Sequence, residues 1–442
     1  MDSVTLSIID MSEKIGKNGV GEKELEELKK RVADIAITSF GAFNAEPVKI
    51  GMKTLLPSSG KRNATVFFTK NKASVENATF LNGTMTRYLD YNDTYLSREA
   101  LHPSDNIPPL IAMAEAEELS GKEVLNSAAV AYETICALSD VVSIRDRGWD
   151  HVTYISISSA AGLAHLQKLD HERFAHTLNL AINNNISLRQ TRAGELSMWK
   201  GATAANASRN SVFAANLAES GFTGPAPIFE GEMGFFKQVS GSFKLDFKQS
   251  RILKTMIKNY PVEYHAMSAA EVASSLRKKI KGNVKSVDVE TFRVAYTIII
   301  KDPEKLRPKT RETADHSMPY IIAHTLVHGD PTPNSYSREF LNDRNTLSLV
   351  DKMNFTVTER FDGMYPEYLP VKITVKTDSG TYEEELDAPK GHNKKPYTWD
   401  DLQKKAERVM DTDSARIVVD FAKTFQKRSM NEFMEVLLNV KA

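Results

Sequence analysis

Residues Asn82–Pro109 read NGTMTRYLDYNDTYLSREALHPSDNIPP, and what flanks this stretch decides the fold. An apolar, helix-like segment runs up to it from Ser74, and another leaves it at Ile107. Between them stand Asp90, Asn92, Asp93, Thr94, Arg98, Glu99, His102, Ser104, Asp105 and Asn106. That is more polar chemistry than a simple connection needs, so the stretch reads as a loop that builds a site. Carboxylates and a histidine can move protons near neutral pH, and hydroxyls and amides can orient an anion. Ser104 or Asp105 capping a helix that starts near Ile107 is the structural alternative. Capping accounts for those two residues but not for His102 or Asp93.

Outward from this loop the first half is helix after helix. Glu22–Ser39 places Leu25, Leu28, Val32, Ile35 and Ala36 at helical spacing, with its charges on the other face. Residues 54–62 form a turn-rich break, and the SSGK within it lacks the long glycine-bounded loop of a P-loop. Ile107–Leu119 and Lys122–Ser143 are two further helices separated by Gly121, followed by the alanine-rich Ile155–Lys168 and Arg173–Asn183. Small residues on successive helices favour close helix packing over a βαβ array.

From Val284 the pattern changes. VKSVDVETFRVAYTI alternates as a strand does, and VKITVKT and TYEEELDA form a hairpin across a DSG turn. A helix over TADHSMPYIIAHTLVHG lies between them, and two last helices, Trp399–Met410 and Ser414–Leu438, return to the helical body. The expected fold is mainly α: a large all-helical domain of residues 1–266 and 396–442, and a smaller α+β domain of residues 267–395.

With 442 residues, 41% of them hydrophobic, the chain has enough apolar surface for two cores. Lys plus Arg and Asp plus Glu each number 57. No global field therefore recruits nucleic acid or an anionic membrane, and any positive site must be local. The N-terminus lacks a signal-peptide pattern and no apolar run approaches a membrane span, so a cytoplasmic protein is expected. The single cysteine, Cys136, excludes an intrachain disulfide and an iron–sulfur cluster held within one chain. It lies in an apolar helical run, where a small buried hydrophobe is its expected role. His324 and His328 lie four apart, but HTLVH has no zinc-protease glutamate, so no metal site is expected. His165, His171 and His176 read as structural. Neither a dinucleotide fingerprint nor a nucleophile elbow is present.

Three further polar breaks join the first. RDRGWDHVTY brings Trp149, Asp150, His151 and Thr153 to a helix N-terminus, which favours anions. SLRQTRAGELSMWKG gathers Arg189, Arg192 and Lys200. These could form a solvated face, but Met198, Trp199 and Ala202 set the lysine in apolar surroundings that call for an anionic partner. KNYPVEYHAMSAAE supplies Lys258, Tyr260, Glu263, Tyr264 and His265.

Asp93-Thr94 with HPSDN at 102–106, then GWDH at 148–151, MWKG at 198–201, Tyr260-Pro261 with His265, and ADHSMPY at 314–320 occur in an order that resembles the MmgE/PrpD family. That family includes 2-methylcitrate dehydratase and cis-aconitate decarboxylase. The resemblance covers nearly the whole chain, and DYNDTYL, HPSDN, GELSMWKG and RETADHSMPY are most similar to the 2-methylcitrate dehydratase branch. It implies a helical domain with an α+β lid, a homodimer, no cofactor, and a small tricarboxylate as substrate. It further implies that Asp93, Thr94, His102, His151, Lys200, His265 and Tyr320 line the pocket, together with Lys258 and His316. Dehydration without an iron Lewis acid needs a base, an acid and a cation for the charge that builds on the carboxylate. The expected roles are base or acid for His102 and His151, unordered, and charge stabilisation by Lys200 with Arg192 or His265. Asp93 is expected to orient a histidine, and Tyr320 to close the site from the lid. Decarboxylation of cis-aconitate, or epimerisation of a related carboxylate, remains open, as does an idle helical protein that binds a partner through the same clefts.

Overall fold

The computed structural model describes residues 1–56 and 62–441. The SSGK of residues 58–61 lies outside them. Helices dominate the first half: Glu22–Ala42, Val75–Tyr88, Ile107–Ala116, Gly121–Val141, Val152–Leu166, His171–Asn184 and Trp199–Glu219. Their starts follow local chemistry. Ser74 accepts from the amide of Asn77, and Ser120 forms a reciprocal capping box with Glu123, which makes Gly121 the first residue of a helix instead of a spacer.

Close packing places the polar loop. Helices Val75–Tyr88 and Trp199–Glu219 pack against each other, and a Cβ on Gly201 would sit 3.1 Å from Tyr88 Cα, while one on Gly83 would sit 2.9 Å from Ala205 Cβ. Glycine at these two positions lets the end of one helix, which carries Asp90, meet the start of the other, which carries Lys200.

Among the described residues the apolar side chains form three clusters. In the first, Leu28, Val32 and Ile35 pack with Leu402, Val418, Val419 and Phe433 of the C-terminal helices. These number three, Trp399–Ala406, Thr412–Lys423 and Met430–Leu438, where two were expected. The second holds Cys136 among Ile135, Leu138, Tyr154 and Ile157, and burial pushes its thiol pKa well up. The third begins at Met256 and fills the α+β unit, from Val262 and Tyr264 to Ile373 and Val375.

That unit contains one four-stranded sheet, ordered Met353–Val357, Val284–Thr291, Val371–Thr377, Thr381–Leu386. The first pair is parallel and the others antiparallel. The expected hairpin is present. The expected strand over VKSVDVETFRVAYTI covers only its first half, because Arg293–Ile299 is helical and buries Ala295 and Ile299 at a spacing of four. Met353–Val357, an edge strand with alternately exposed residues, had no expectation attached to it. Among the described residues no helix is long and apolar enough to cross a membrane.

Candidate active site

The helix Val75–Tyr88 ends in a left-handed residue, Asp90, with φ 51°. Aspartate tolerates this conformation better than most side chains, and it turns both the carbonyl and the carboxylate of Asp90 toward Lys258. The Lys258 ammonium donates to Asp90 Oδ1, to Asp90 O at 2.9 Å and to Val262 O at 3.1 Å. Arg87 Nη1 lies 2.9 Å from Asp90 Oδ1, and Lys200 Nζ 3.3 Å from Oδ2. Burial opposes ionisation of Asp90, but Arg87, Lys258 and Lys200 outweigh it and hold the carboxyl well below the usual carboxylate range.

Asp90 lines a cleft between the helical body and the α+β unit. Arg87, Thr94, Glu99, His102, Arg145, His151, Arg189 and Arg192 line it from one side, and Glu263, His265, Lys305 and His316 from the other. Lys258 stands at the junction, where Thr94 and Met256 exchange two main-chain hydrogen bonds of 2.8 Å. The lining carries more arginine and lysine than carboxylate, so the local field favours an anion although the chain as a whole is neutral. The enclosed volume is about 70 Å³, below the ~300 Å³ or more usual for small-molecule sites.

Four histidines face this cleft. His102 Nδ1 is 2.7 Å from Asp93 O; a carbonyl only accepts, so Nδ1 carries the hydrogen and Nε2 accepts from Arg87 Nη2 at 2.9 Å. Burial, with Arg87 and Lys258 nearby, holds the His102 pKa well below its ordinary value. His151 Nδ1 lies 3.0 Å from Asp150 Oδ1, and its buried Nε2 has no partner. Burial lowers its pKa to about 3, despite the Asp150 carboxylate, which Arg192 Nε holds at 2.9 Å. The rings of His102 and His151 are 5.9 Å apart, edge to face.

His265 Nδ1 meets Glu263 Oε1 at 2.7 Å and its Nε2 meets the Tyr365 hydroxyl at 3.2 Å. Burial would raise the Glu263 carboxyl, but the His265 imidazole outweighs it and leaves it at about 2. His316 Nδ1 is 2.6 Å from Asp315 Oδ1, and burial together with Lys200 lowers its pKa to about 4.

Of the residues expected at the site, the cleft gathers Thr94, His102, His151, Arg192, Lys258, His265 and His316. Three stand elsewhere. The Asp93 carboxylate accepts from Ser104 N–H at 2.9 Å and Tyr132 O–H at 2.8 Å, with Arg31 Nε 3.4 Å away; it faces the helical core and reaches His102 only through its main-chain carbonyl. Lys200 is buried behind the lining, 2.7 Å from Asp315 Oδ1, so two carboxylates already balance it. Tyr320 is packed in the α+β core, where its hydroxyl donates to Ser335 O at 2.7 Å and its ring stacks on His324. The helix that carries it buries that face, since Ala323 and His324, three and four residues on, share it and are buried as well. Ser104 and Asp105 do not cap the following helix; both accept from the Asn92 side chain at 2.9 Å.

Arg87, Asp90, Arg145 and Lys305 carried no site expectation of their own. Arg87 and Asp90 sit where a helix end alone would explain an arginine and a turn-forming aspartate, and only the fold turns them inward. Asp90, Asp315 and His316 bring potential metal ligands within 4.8 Å of one another. Lys200 lies against both carboxylates, and Arg87 and Lys258 against Asp90. A divalent cation would meet three fixed positive charges there, so this donor set does not fit a metal.

A helical body joined to an α+β unit around a cationic, histidine-lined cleft defines the class. The N-terminal domain model of the MmgE/PrpD family matches residues 13–248 and its C-terminal domain model residues 260–418, and the chain belongs to that family. It is similar to the 2-methylcitrate dehydratase of Escherichia coli K12, 27% identical over 397 residues that cover 82% of this chain and 78% of that protein. It is 28% identical over 343 residues to the mitochondrial 2-methylcitrate dehydratase of Yarrowia lipolytica, covering 71% of this chain and 65% of the relative. A fungal alkylcitrate dehydratase is 26% identical over 366 residues, covering 74% of this chain and 71% of its own.

Proposed function

We propose that the chain is a hydro-lyase that removes water from 2-methylcitrate, and more weakly from citrate, by protein acid–base chemistry. One observation carries the reading: His102 and His151 face one another at 5.9 Å in a cationic cleft, each with Nδ1 fixed by an acceptor and each leaving Nε2 toward the lining. Relatives named for 2-methylcitrate and alkylcitrate support the choice of substrate.

The reaction takes a proton from the carbon beside a carboxylate and expels hydroxide from its neighbour. A neutral imidazole is a competent base for the first step, and the cations of the lining stabilise the charge that moves onto the carboxylate. Arg87 occupies His102 Nε2. A substrate carboxylate that draws the guanidinium away frees that nitrogen, so ligand binding itself uncovers the base. The proton on the departing hydroxyl comes from the facing His151, which is neutral until the substrate's carboxylates enter beside it and must first take up a proton from solvent; hydroxide and proton then leave together as water. Asp93 and Asp150 orient the two rings, the first by its carbonyl and the second by its carboxylate. Lys200 acts through Asp315 and His316, which it holds in place. On this reading the chain works as a cytoplasmic homodimer.

Incubation with 2-methylcitrate, citrate and cis-aconitate, with products weighed by mass spectrometry, tests the proposal. Loss of water from 2-methylcitrate is expected. Loss of carbon dioxide from cis-aconitate with no dehydration would move the assignment to a decarboxylase.

A further inference from the structure

Lys305 lies on the short helix Pro303–Leu306 of the α+β unit, only 5% exposed, and lines the cleft. Its backbone is fixed, since its carbonyl accepts the hydroxyl of Ser317, the residue that caps helix Met318–His328. The other buried lysines around the site have their charges matched. Lys200 meets Asp90 and Asp315, Lys258 spends its ammonium on Asp90 and two carbonyls, and Lys405 meets Asp34 at 2.6 Å. Among the described residues no carboxylate lies within 4.0 Å of the Lys305 ammonium, and no acceptor bonds it. Its ammonium opens into the cleft without a paired charge, and such a charge gains when an anion joins it. Burial, with the charge of Lys200 nearby, lowers its pKa, an effect that a bound anion reverses.

We infer that Lys305 is the receptor for one carboxylate of the ligand, offered by the α+β unit to a molecule whose reacting carbons face the histidines of the helical body. The inference rests on the polycarboxylate reading above and deepens it. A carboxylate on Lys305 ties the two walls of the cleft together, so a ligand that spans them is selected over one that reaches only the arginines opposite.

Propane-1,2,3-tricarboxylate tests this, because it has no hydroxyl to lose and its binding is read without turnover. Titration calorimetry is run on the full-length wild type, Lys305→Met and Lys305→Arg, each checked by thermal melting. Lys305→Met is expected to melt at or above the wild-type temperature, since it removes an unmatched charge, and to bind on the order of 100-fold more weakly. Lys305→Arg, which keeps the charge, should bind within about tenfold of wild type. Binding by folded Lys305→Met within about threefold of wild type overturns the inference; should Met fail to fold, Lys305→Gln is read by the same limits. A wild type that does not bind the tricarboxylate overturns this inference and the polycarboxylate reading together. Weakened binding by the variant, with no dehydration of any citrate by the wild type, upholds Lys305 and removes the dehydratase reading alone.

Discussion

Arg87 Nη2 lies 2.9 Å from His102 Nε2, while Nη1 of the same guanidinium lies 2.9 Å from Asp90 Oδ1. One arginine thus ties the buried carboxylate of the site to the ring nitrogen proposed as the base. Since a guanidinium only donates, Nε2 accepts from it and carries no hydrogen, while Nδ1 donates to Asp93 O; the imidazole is neutral, and Nε2 is covered until something displaces the arginine.

Asp90 is therefore a keystone for three cations. Asp90→Asn leaves Arg87, Lys258 and Lys200 with less charge to balance them, and loss of one partner from a buried ionic group costs about 3–5 kcal/mol. Denaturant unfolding should show a loss of that size. Asp93→Asn should spare the cleft charges and keep the His102 carbonyl contact, so its turnover should exceed that of Asp90→Asn. Equal turnover in the two folded variants would contradict the placement.

Lys200→Met should lower both stability and rate. The lysine is the shared partner of Asp90 and Asp315, so its removal strands carboxylate charge in a buried place, again at about 3–5 kcal/mol. Loss of the cation should lower turnover by about two orders of magnitude. A variant as stable as wild type would show that water, not Lys200, compensates those carboxylates.

Tyr320→Phe removes one hydrogen bond, from the hydroxyl to Ser335 O, worth about 1 kcal/mol. Its hydroxyl points away from the cleft, so kcat and KM should stay within about twofold of wild type while the unfolding midpoint falls. A fall in kcat of tenfold or more would restore Tyr320 to the site.

Histidine burial sets the direction of the pH response. His151 has a folded pKa of about 3 against an ordinary 6.5, so below 6.5 the unfolded chain takes up a proton that the folded one refuses. Stability falls as pH drops from 6.5 toward 3, and at pH 5 this group alone should have removed about 2 kcal/mol. Denaturant unfolding of wild type and His151→Asn at pH 7 and pH 5 measures it. The variant should lose about 2 kcal/mol less than wild type over that interval; an identical loss would mean that His151 is protonated in the fold.

The helical body and the hairpin were legible by their periods, whereas most of the seven cleft residues were legible only through the resemblance of their motifs to a family. His102 and His151 were readable as proton carriers in polar breaks between helices. Which aspartate of DYND faces the cleft was not, because the left-handed turn at Asp90 decides it and both residues fit a polar loop equally well. Lys305 sits in KDPEKLRPK, a run whose charges look solvated until the α+β unit folds over it. Tyr320 stands in a motif yet not in the cleft, because its helix buries the side chain in the unit's own core.

The side chains of this cleft, His102 foremost, are proposed to carry out the elimination. The initial rate of alkene formation from 2-methylcitrate, followed by ultraviolet absorbance, tests it directly when wild type and His102→Asn are compared after exhaustive chelation. Chelated wild type should keep its full rate, and folded His102→Asn should lose about two orders of magnitude or more. A rate that vanishes on chelation and returns with added iron, or a His102→Asn rate equal to wild type, would contradict it.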